Sequence, residues 1–181
     1  MPSSDHAGGL GGEPLVQPNG TVIVPFAGGG IDVFSSTNGG VSWGKSQQIA
    51  IVNSHFVAAG LRNPNLPSAG IDGAGNVYVV WSDCRFRSKC AENDIVMSSS
   101  ADGKTWSAVT RIPIDPTTST VDHFIPGIGV DPTTSGANAH LTIVYYYYPK
   151  ASCTTSTCQL DVGFTTVQTG DIVDRTDRGD G

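Results

Sequence analysis

Short runs of β-branched and aromatic residues recur along the chain, and turns rich in Gly, Asn, Asp and Pro separate them. The run 77–81 is apolar at every position, which is typical of a strand buried on both faces. No segment has the 3.6-residue apolar spacing of an amphipathic helix. The pattern therefore predicts an all-β chain of short antiparallel strands.

The predicted strands repeat in groups of four. In two of the groups the third strand leads into a polar turn that ends at a tryptophan, and Trp43 and Trp106 are 63 residues apart. Repetition at a long period predicts stacked structural units. The predicted divisions are a disordered, Gly-rich N-terminal segment, two complete units, an incomplete third unit and an atypical polar tail, at 1–12, 13–51, 67–112, 126–166 and 167–181.

The two tryptophan turns share a polar pattern. The first contains Ser36, Asn38, Gly40 and Ser42 before Trp43. The second contains Ser99, Asp102, Gly103 and Thr105 before Trp106. In the second turn either the Asp is displaced by one position or the turn is one residue shorter. Small polar residues and Gly are the residue types that make such turns.

The third unit does not reach its expected turn. Residues 167–181 are charged, contain no Trp and show no apolar alternation. Reading the back-translated segment one nucleotide later encodes Ser-(Lys/Arg)-x-Gly-Thr-Ser-Trp. A shifted reading frame is therefore one explanation of the tail, and a natural polar tail is the other.

The four cysteines form two local pairs. Cys84 and Cys90 bracket one loop, and Cys153 and Cys158 bracket another. Zinc sites favour tighter pairs such as Cys-x-x-Cys, so we predict a disulfide at the neck of each loop and no metal site. Disulfides imply an extracellular or periplasmic setting. The first residues do not form a signal peptide, so we expect the natural start to lie outside this sequence.

Composition narrows the range of partners. The formal net charge is −6, which argues against a nucleic-acid partner. There is no run of ~18 apolar residues, so no membrane span is predicted. No cofactor is predicted either.

The pattern of the tryptophan turns resembles the Asp-box, or bacterial neuraminidase repeat, Ser-x-Asp-x-Gly-x-Thr-Trp. This resemblance implies a sialidase-like β-propeller with four-stranded antiparallel blades, of which the chain holds about two and a half. It also implies that the boxes are structural hairpins between the third and fourth strands, away from any active site. The remaining blades would come from the full-length chain or from self-association.

A ligand site is expected at the opposite end of the blades, where the loops between second and third strands meet the connectors between blades. A sialidase needs arginines for the substrate carboxylate, a tyrosine nucleophile and an aspartate acid/base. The catalytic candidates are Asp83, Asp122 and His123. The substrate-binding candidates are Arg62, Arg85, Arg87 and Tyr148. The alternative is structural: Asp83 caps the first cysteine loop, Asp122 and His123 cap a connector, and the arginines form a solvated basic surface.

The resemblance implies a fragment of a secreted exo-α-sialidase, with a glycan or sialoside as substrate. Family sialidases carry an Arg-Ile-Pro motif at the start of a blade. Asn65-Leu66-Pro67 and Phe124-Ile125-Pro126 occupy the corresponding positions here, and the Arg is missing from both. A non-catalytic propeller that binds glycans or proteins therefore remains an alternative to a glycoside hydrolase.

Overall fold

The computed structural model describes residues 3–172, and within them three antiparallel sheets follow one another along the chain. Each sheet is a meander in which consecutive strands are neighbours. The first blade comprises β1 (Leu15–Val16), β2 (Val22–Ala27), β3 (Ile31–Ser36) and β4 (Gln47–Ala50). The second comprises β5 (Ser68–Ile71), β6 (Val77–Asp83), β7 (Asp94–Ser100) and β8 (Thr110–Arg111). The third comprises β9 (Asp122–Val130), β10 (His140–Tyr148) and β11 (Asp161–Gln168).

The little helical structure that is described lies between or after the strands. Three single 3-10 turns lie in loops, at Ala58–Gly60, Ser88–Cys90 and Gly136–Asn138. Residues 169–172 are helical and bring Ile172 into the core beside the third blade. No helix in the described range is long and apolar enough to cross a membrane.

The blades stack face to face in chain order. Ile23 and Val33 of the first blade pack against Val79 and Trp81 of the second. On its other face the second blade packs its residues Val80, Ile95 and Met97 against Leu141, Ile143 and Tyr145 of the third. Every residue of β6 is buried, as predicted for a strand covered on both faces. β5 contacts both β1 and β9, so the first strands lie side by side. The predicted partial β-propeller is confirmed.

The two tryptophan turns are held by matching hydrogen bonds. In the first, Gly40 N donates to Ser36 Oγ and Ser42 N donates to Asn38 Oδ1, both over 2.9 Å. In the second, Gly103 N donates to Ser100 Oγ over 2.8 Å and Thr105 N donates to Asp102 Oδ1 over 2.7 Å. Backbone donors from Thr105 and Lys104 lower the pKa of Asp102 to about 2.

The second turn corrects one predicted assignment. Ser100, and not Ser99, accepts the Gly103 amide, so the turn is one residue shorter than the first and its Asp is not displaced. The Ser99 amide instead donates to Ser107 Oγ. Gly103 has φ +68°, and a Cβ on it would lie 2.5 Å from Ile23 Cδ1 of the first blade. Glycine is therefore required there by both backbone conformation and close interblade contact.

The predicted disulfides Cys84–Cys90 and Cys153–Cys158 are both formed. The third blade is longer than its predicted division at both ends. β9 begins at Asp122, and β11 continues to Gln168 before the helical residues. Most of the tail that we interpret as either natural or frame-shifted, from 173 onward, lies outside the described residues.

Candidate ligand face

The connector between the first two blades, residues 51–66, crosses the end of the molecule opposite the tryptophan turns. Cys84 N donates to Asn53 O over 2.8 Å, and His55 N donates to Asn93 Oδ1 over 2.8 Å. Beyond these contacts Val57 packs in a small cluster with Phe124 and Tyr148 of the third blade. This connector therefore contacts the second and third blades before it leads into β5.

Asp83 lies at the end of β6 and is fully buried. Its two carboxylate oxygens accept hydrogen bonds from the amides of Asn53 and Arg85, from Trp81 Nε1, and from Nε and Nη2 of Arg85. The Asp83–Arg85 ion pair has an N–O distance of 2.7 Å. An acid/base needs access to substrate, whereas this carboxylate joins the connector to the first disulfide loop.

Arg87, predicted to bind a substrate carboxylate, points into the protein, and its side chain is fully buried. All five of its N–H donors are used: they bond Asp94 Oδ1 twice, Asp115 Oδ1 once, and the carbonyl oxygens of Pro116 and Ser119. Burial alone would lower the pKa of Arg87, but Asp94 and Asp115 outweigh it and raise that pKa. The guanidinium therefore has no donor left for a ligand.

A second arginine shares the same carboxylates. Arg111 pairs with Asp94 Oδ1 over 2.9 Å and with Asp115 Oδ1. His123 Nε2 lies 3.9 Å from Asp115 Oδ2. Asp94, Asp115 and His123 thus each place a potential metal-ligand atom within 4.8 Å of the other two. Two guanidinium groups already balance the two carboxylates, so a divalent cation would add uncompensated buried charge. The arrangement favours a structural ion-pair network over a metal site.

Asp122 and His123 do not form the predicted catalytic pair. They are consecutive residues of β9 and therefore project from opposite faces of its sheet. Asp122 Oδ1 accepts two hydrogen bonds from Asn93, while the His123 ring packs edge-on against Tyr145 with ring centroids 5.2 Å apart. Burial lowers the pKa of His123 below its ordinary value, although the nearby Asp115 and Asp94 act in the opposite direction.

The burial of Asp122 predicts that the stability of the protein depends on pH. Burial raises its pKa above the ordinary value of 3.8, against the opposing hydrogen bonds from Asn93, and its Oδ2 has no partner among the described residues. At a pH between the unfolded-state and folded-state pKa values of Asp122, the folded protein keeps a proton that the unfolded chain has released. The free energy of unfolding therefore falls as the pH rises through this range. We expect Asp122→Asn to be more stable than the parent at neutral pH, and the difference to vanish in acid.

Urea denaturation of both proteins across a pH series measures this difference. Asp161→Asn, on the partly exposed edge of β11, is the control and should change little. A parent that is more stable than Asp122→Asn at neutral pH would contradict the prediction.

The other predicted binding residues differ in how far their side chains are exposed to solvent. Tyr148 is 5% exposed and packs edge-on against Phe124 with ring centroids 5.2 Å apart, so its ring is not available for stacking on a sugar. Arg85 is partly exposed but paired with Asp83. Arg62 is exposed on the connector and forms no hydrogen bond or ion pair with another described residue.

An exposed aromatic residue on this face was missed by the sequence reasoning. Phe56 lies on connector 51–66 and is 93% exposed. Two residues before it, Ser54 lines a groove of about 590 Å³ between the connector and the first disulfide loop, and Asn53, Arg85 and Lys89 line it as well. The available signal was an aromatic residue in a connector assigned to the ligand end, but its exposure depends on the path of the connector.

No protein-family model matches the sequence, and no curated protein matches it. A mutant α-L-arabinofuranosidase from Fusarium graminearum in complex with an iminosugar inhibitor is similar over 87% of this chain and 46% of that chain, with 17% identity and a TM-score of 0.54. An α-L-arabinanase from Penicillium chrysogenum complexed with arabinobiose is similar over 86% and 45% of the two chains, with 20% identity and a TM-score of 0.53. A PL25 ulvan lyase is similar over 90% of this chain and 39% of that chain, with 13% identity and a TM-score of 0.49.

At these identities the similarity concerns the fold alone. The chain spans slightly less than half the length of the two glycosidases. Together with the three stacked meanders, these similarities show that residues 3–172 have the fold of a partial β-propeller, related in architecture to propellers of carbohydrate-processing enzymes.

Proposed function

We propose that this chain is part of an extracytoplasmic, carbohydrate-active β-propeller, and that its described blades supply a glycan-binding surface. The observation that carries the proposal is the exposed Phe56, which lies on the connector two residues after Ser54, a lining residue of a polar groove. The two disulfides support the extracytoplasmic setting.

The groove offers the chemistry that a sugar requires. Asn53 and Ser54 provide polar groups for hydroxyls, and Lys89 provides positive charge for an acidic sugar, while the charge of Arg85 is balanced by Asp83. A flat aromatic ring such as that of Phe56, two residues along the connector, provides the apolar area that small-molecule sites combine with polar groups. The iminosugar and arabinobiose complexes of the two similar glycosidases support a carbohydrate as the ligand class.

Sialidase activity, which the Asp-box resemblance implies, remains a second candidate for the whole protein. Most glycoside hydrolases need two carboxyl groups on opposite sides of the bond to be cleaved, and family sialidases use a tyrosine and an aspartate. Asp83 and Asp122 are buried and bonded to the connector and to Asn93, so they do not supply that machinery. Hydrolysis would therefore depend on residues from outside the described blades, and a fluorogenic sialoside assay on the full-length protein tests it.

Replacement of Phe56 tests the binding surface. We expect Phe56→Ala to bind its best ligand on a glycan array about tenfold more weakly, because the ring contributes apolar contact that alanine lacks. Val41→Ala is the control, since Val41 is 83% exposed in the first tryptophan turn at the opposite end. Equal binding by the parent and Phe56→Ala, or equal loss in both variants, would refute the proposed surface.

A further inference from the structure

A second polar groove lies at the ligand end, on the loop of the third blade that the Cys153–Cys158 disulfide closes. Its volume is about 400 Å³, and its polar lining side chains are Lys150, Ser152, Thr157 and Gln159. This loop joins β10 to β11, just as the loop of the Cys84–Cys90 disulfide joins β6 to β7. The second groove therefore lies on the same loop of its blade as the first groove, which the connector and the first disulfide loop form.

The contact between disulfide loop and connector also repeats from blade to blade. In the second blade Cys84 N donates to Asn53 O of the preceding connector over 2.8 Å. In the third blade Ala151 N donates to Thr120 O of its own preceding connector over 2.9 Å. Each disulfide loop is thus fixed to the connector that leads into its blade, and the two grooves open at the same end of the molecule.

Connector 51–66 links the two grooves. Ser54 lines the first groove, and three residues later Val57 packs in a cluster with Tyr148 and Cys153, which line the second groove. Three residues of extended chain span at most about 11 Å. Phe56, which is 93% exposed, lies within this short stretch. The two grooves are thus close enough for one oligosaccharide to enter both.

Each groove contains one lysine whose charge is not balanced internally. Lys89 of the first groove and Lys150 of the second are exposed, and neither forms an ion pair with another described residue. The two arginines that line the first groove are already paired with aspartates. Lys89 has φ +55°, a backbone conformation that favours glycine, yet a charged side chain is kept there. Each groove therefore offers one ammonium group to an anionic ligand.

We propose that the two grooves together bind one extended acidic polysaccharide, with an anionic group of the polymer at Lys89 and another at Lys150. This inference rests on the proposed glycan-binding surface and specifies its ligand. A single acidic sugar occupies one groove, whereas a longer chain gains the second contact as an intramolecular step, at a high effective concentration. The ligand class is thus a polymer with acidic groups on separate sugar units.

Isothermal titration calorimetry on the 181-residue chain tests this proposal with galacturonic acid oligomers of one to six units and with neutral arabinose oligomers of the same lengths. We expect the acidic hexamer to bind about tenfold or more tightly than the acidic dimer, because only the hexamer reaches both grooves. The neutral hexamer should bind about tenfold or more weakly than the acidic hexamer, since it lacks the ion pairs with the two lysines.

Lys150→Met should reduce the affinity for the acidic hexamer to about that for the dimer. Lys104→Met is the control, since Lys104 is an exposed lysine in the second tryptophan turn at the opposite end and should leave the affinity unchanged. Equal affinities for the acidic dimer and hexamer, equal affinities for the acidic and neutral hexamers, or an unchanged hexamer affinity in Lys150→Met would overturn this inference. Failure of every oligomer to bind would overturn it as well, whereas the proposed surface itself stands or falls with Phe56→Ala on the glycan array.

Discussion

Replacement of Arg87 by methionine is expected to lower the free energy of unfolding by about 3–5 kcal/mol, the usual cost of removing one partner of a buried ion pair. The buried Asp94 would lose two hydrogen bonds and Asp115 one, while the carbonyl oxygens of Pro116 and Ser119 would lose their donor. Among the described residues, Arg111 alone would then pair with the two carboxylates. Chemical denaturation of the parent and the variant measures the difference.

Arg62→Met is the matched control for Arg87. Arg62 is exposed on connector 51–66, and substitutions at such positions usually change stability by about 0.5 kcal/mol or less. If Arg87→Met were as stable as Arg62→Met, Arg87 would not be the structural residue described here, and a role in binding an anionic ligand would again be open.

Replacement of Asp83 by alanine is the second large effect that we expect, with a loss of about 2–3 kcal/mol. This is smaller than for Arg87, because Arg85 is 24% exposed and water would partly solvate it after the ion pair is lost. The Asn53 amide and Trp81 Nε1 would also lose their acceptor. Because Asn53 begins the part of the connector that leads to Phe56, Asp83→Ala should weaken glycan binding indirectly.

Hydrogen exchange separates this positioning role from a catalytic one. We expect faster exchange of the Asn53 amide and of connector 51–66 in Asp83→Ala, while β2 and β3 keep their protection. Glu92→Ala is the control, since this partly exposed carboxylate is on the same loop. Unchanged exchange in the connector, or an Asp83→Asn variant with parental stability and no turnover in the full-length protein, would speak for acid/base chemistry instead.

Much of the fold was predictable because it depends on local patterns. The alternation of strands and turns, the fully buried run 77–81 and the short loops between paired cysteines are all properties of neighbouring residues. The register of the second tryptophan turn was harder, because Ser99 and Ser100 are both serines and only the hydrogen bond to Gly103 distinguishes them.

The candidate site was less predictable, because burial determines which of its side chains could reach a ligand. Arg85 and Arg87 are two residues apart in one loop, yet Arg85 reaches the surface and Arg87 lies inside. Asp122 and His123 were assigned to a connector, but β9 includes them and directs them to opposite faces. The loops lie at the end of the blades opposite the tryptophan turns, as predicted, while the partners of each side chain come from connectors far away in sequence.

The sequence by itself determined the all-β class, the blade repeat, the two tryptophan turns and the cysteine pairs, since each follows from residue types at short spacing. Only the tertiary structure decided which charged side chains are exposed to solvent and which are buried in ion pairs. Connector 51–66 crosses the ends of β6 and β7, so that Asp83 and Asn93 bind its backbone and Phe56 is left in solvent. Stacking of the blades also decided the exposure of equivalent strand positions. Ile95 and Met97 of β7 are buried under the third blade, whereas Val162 and Phe164 at the matching positions of β11 are exposed, because no described sheet packs against them.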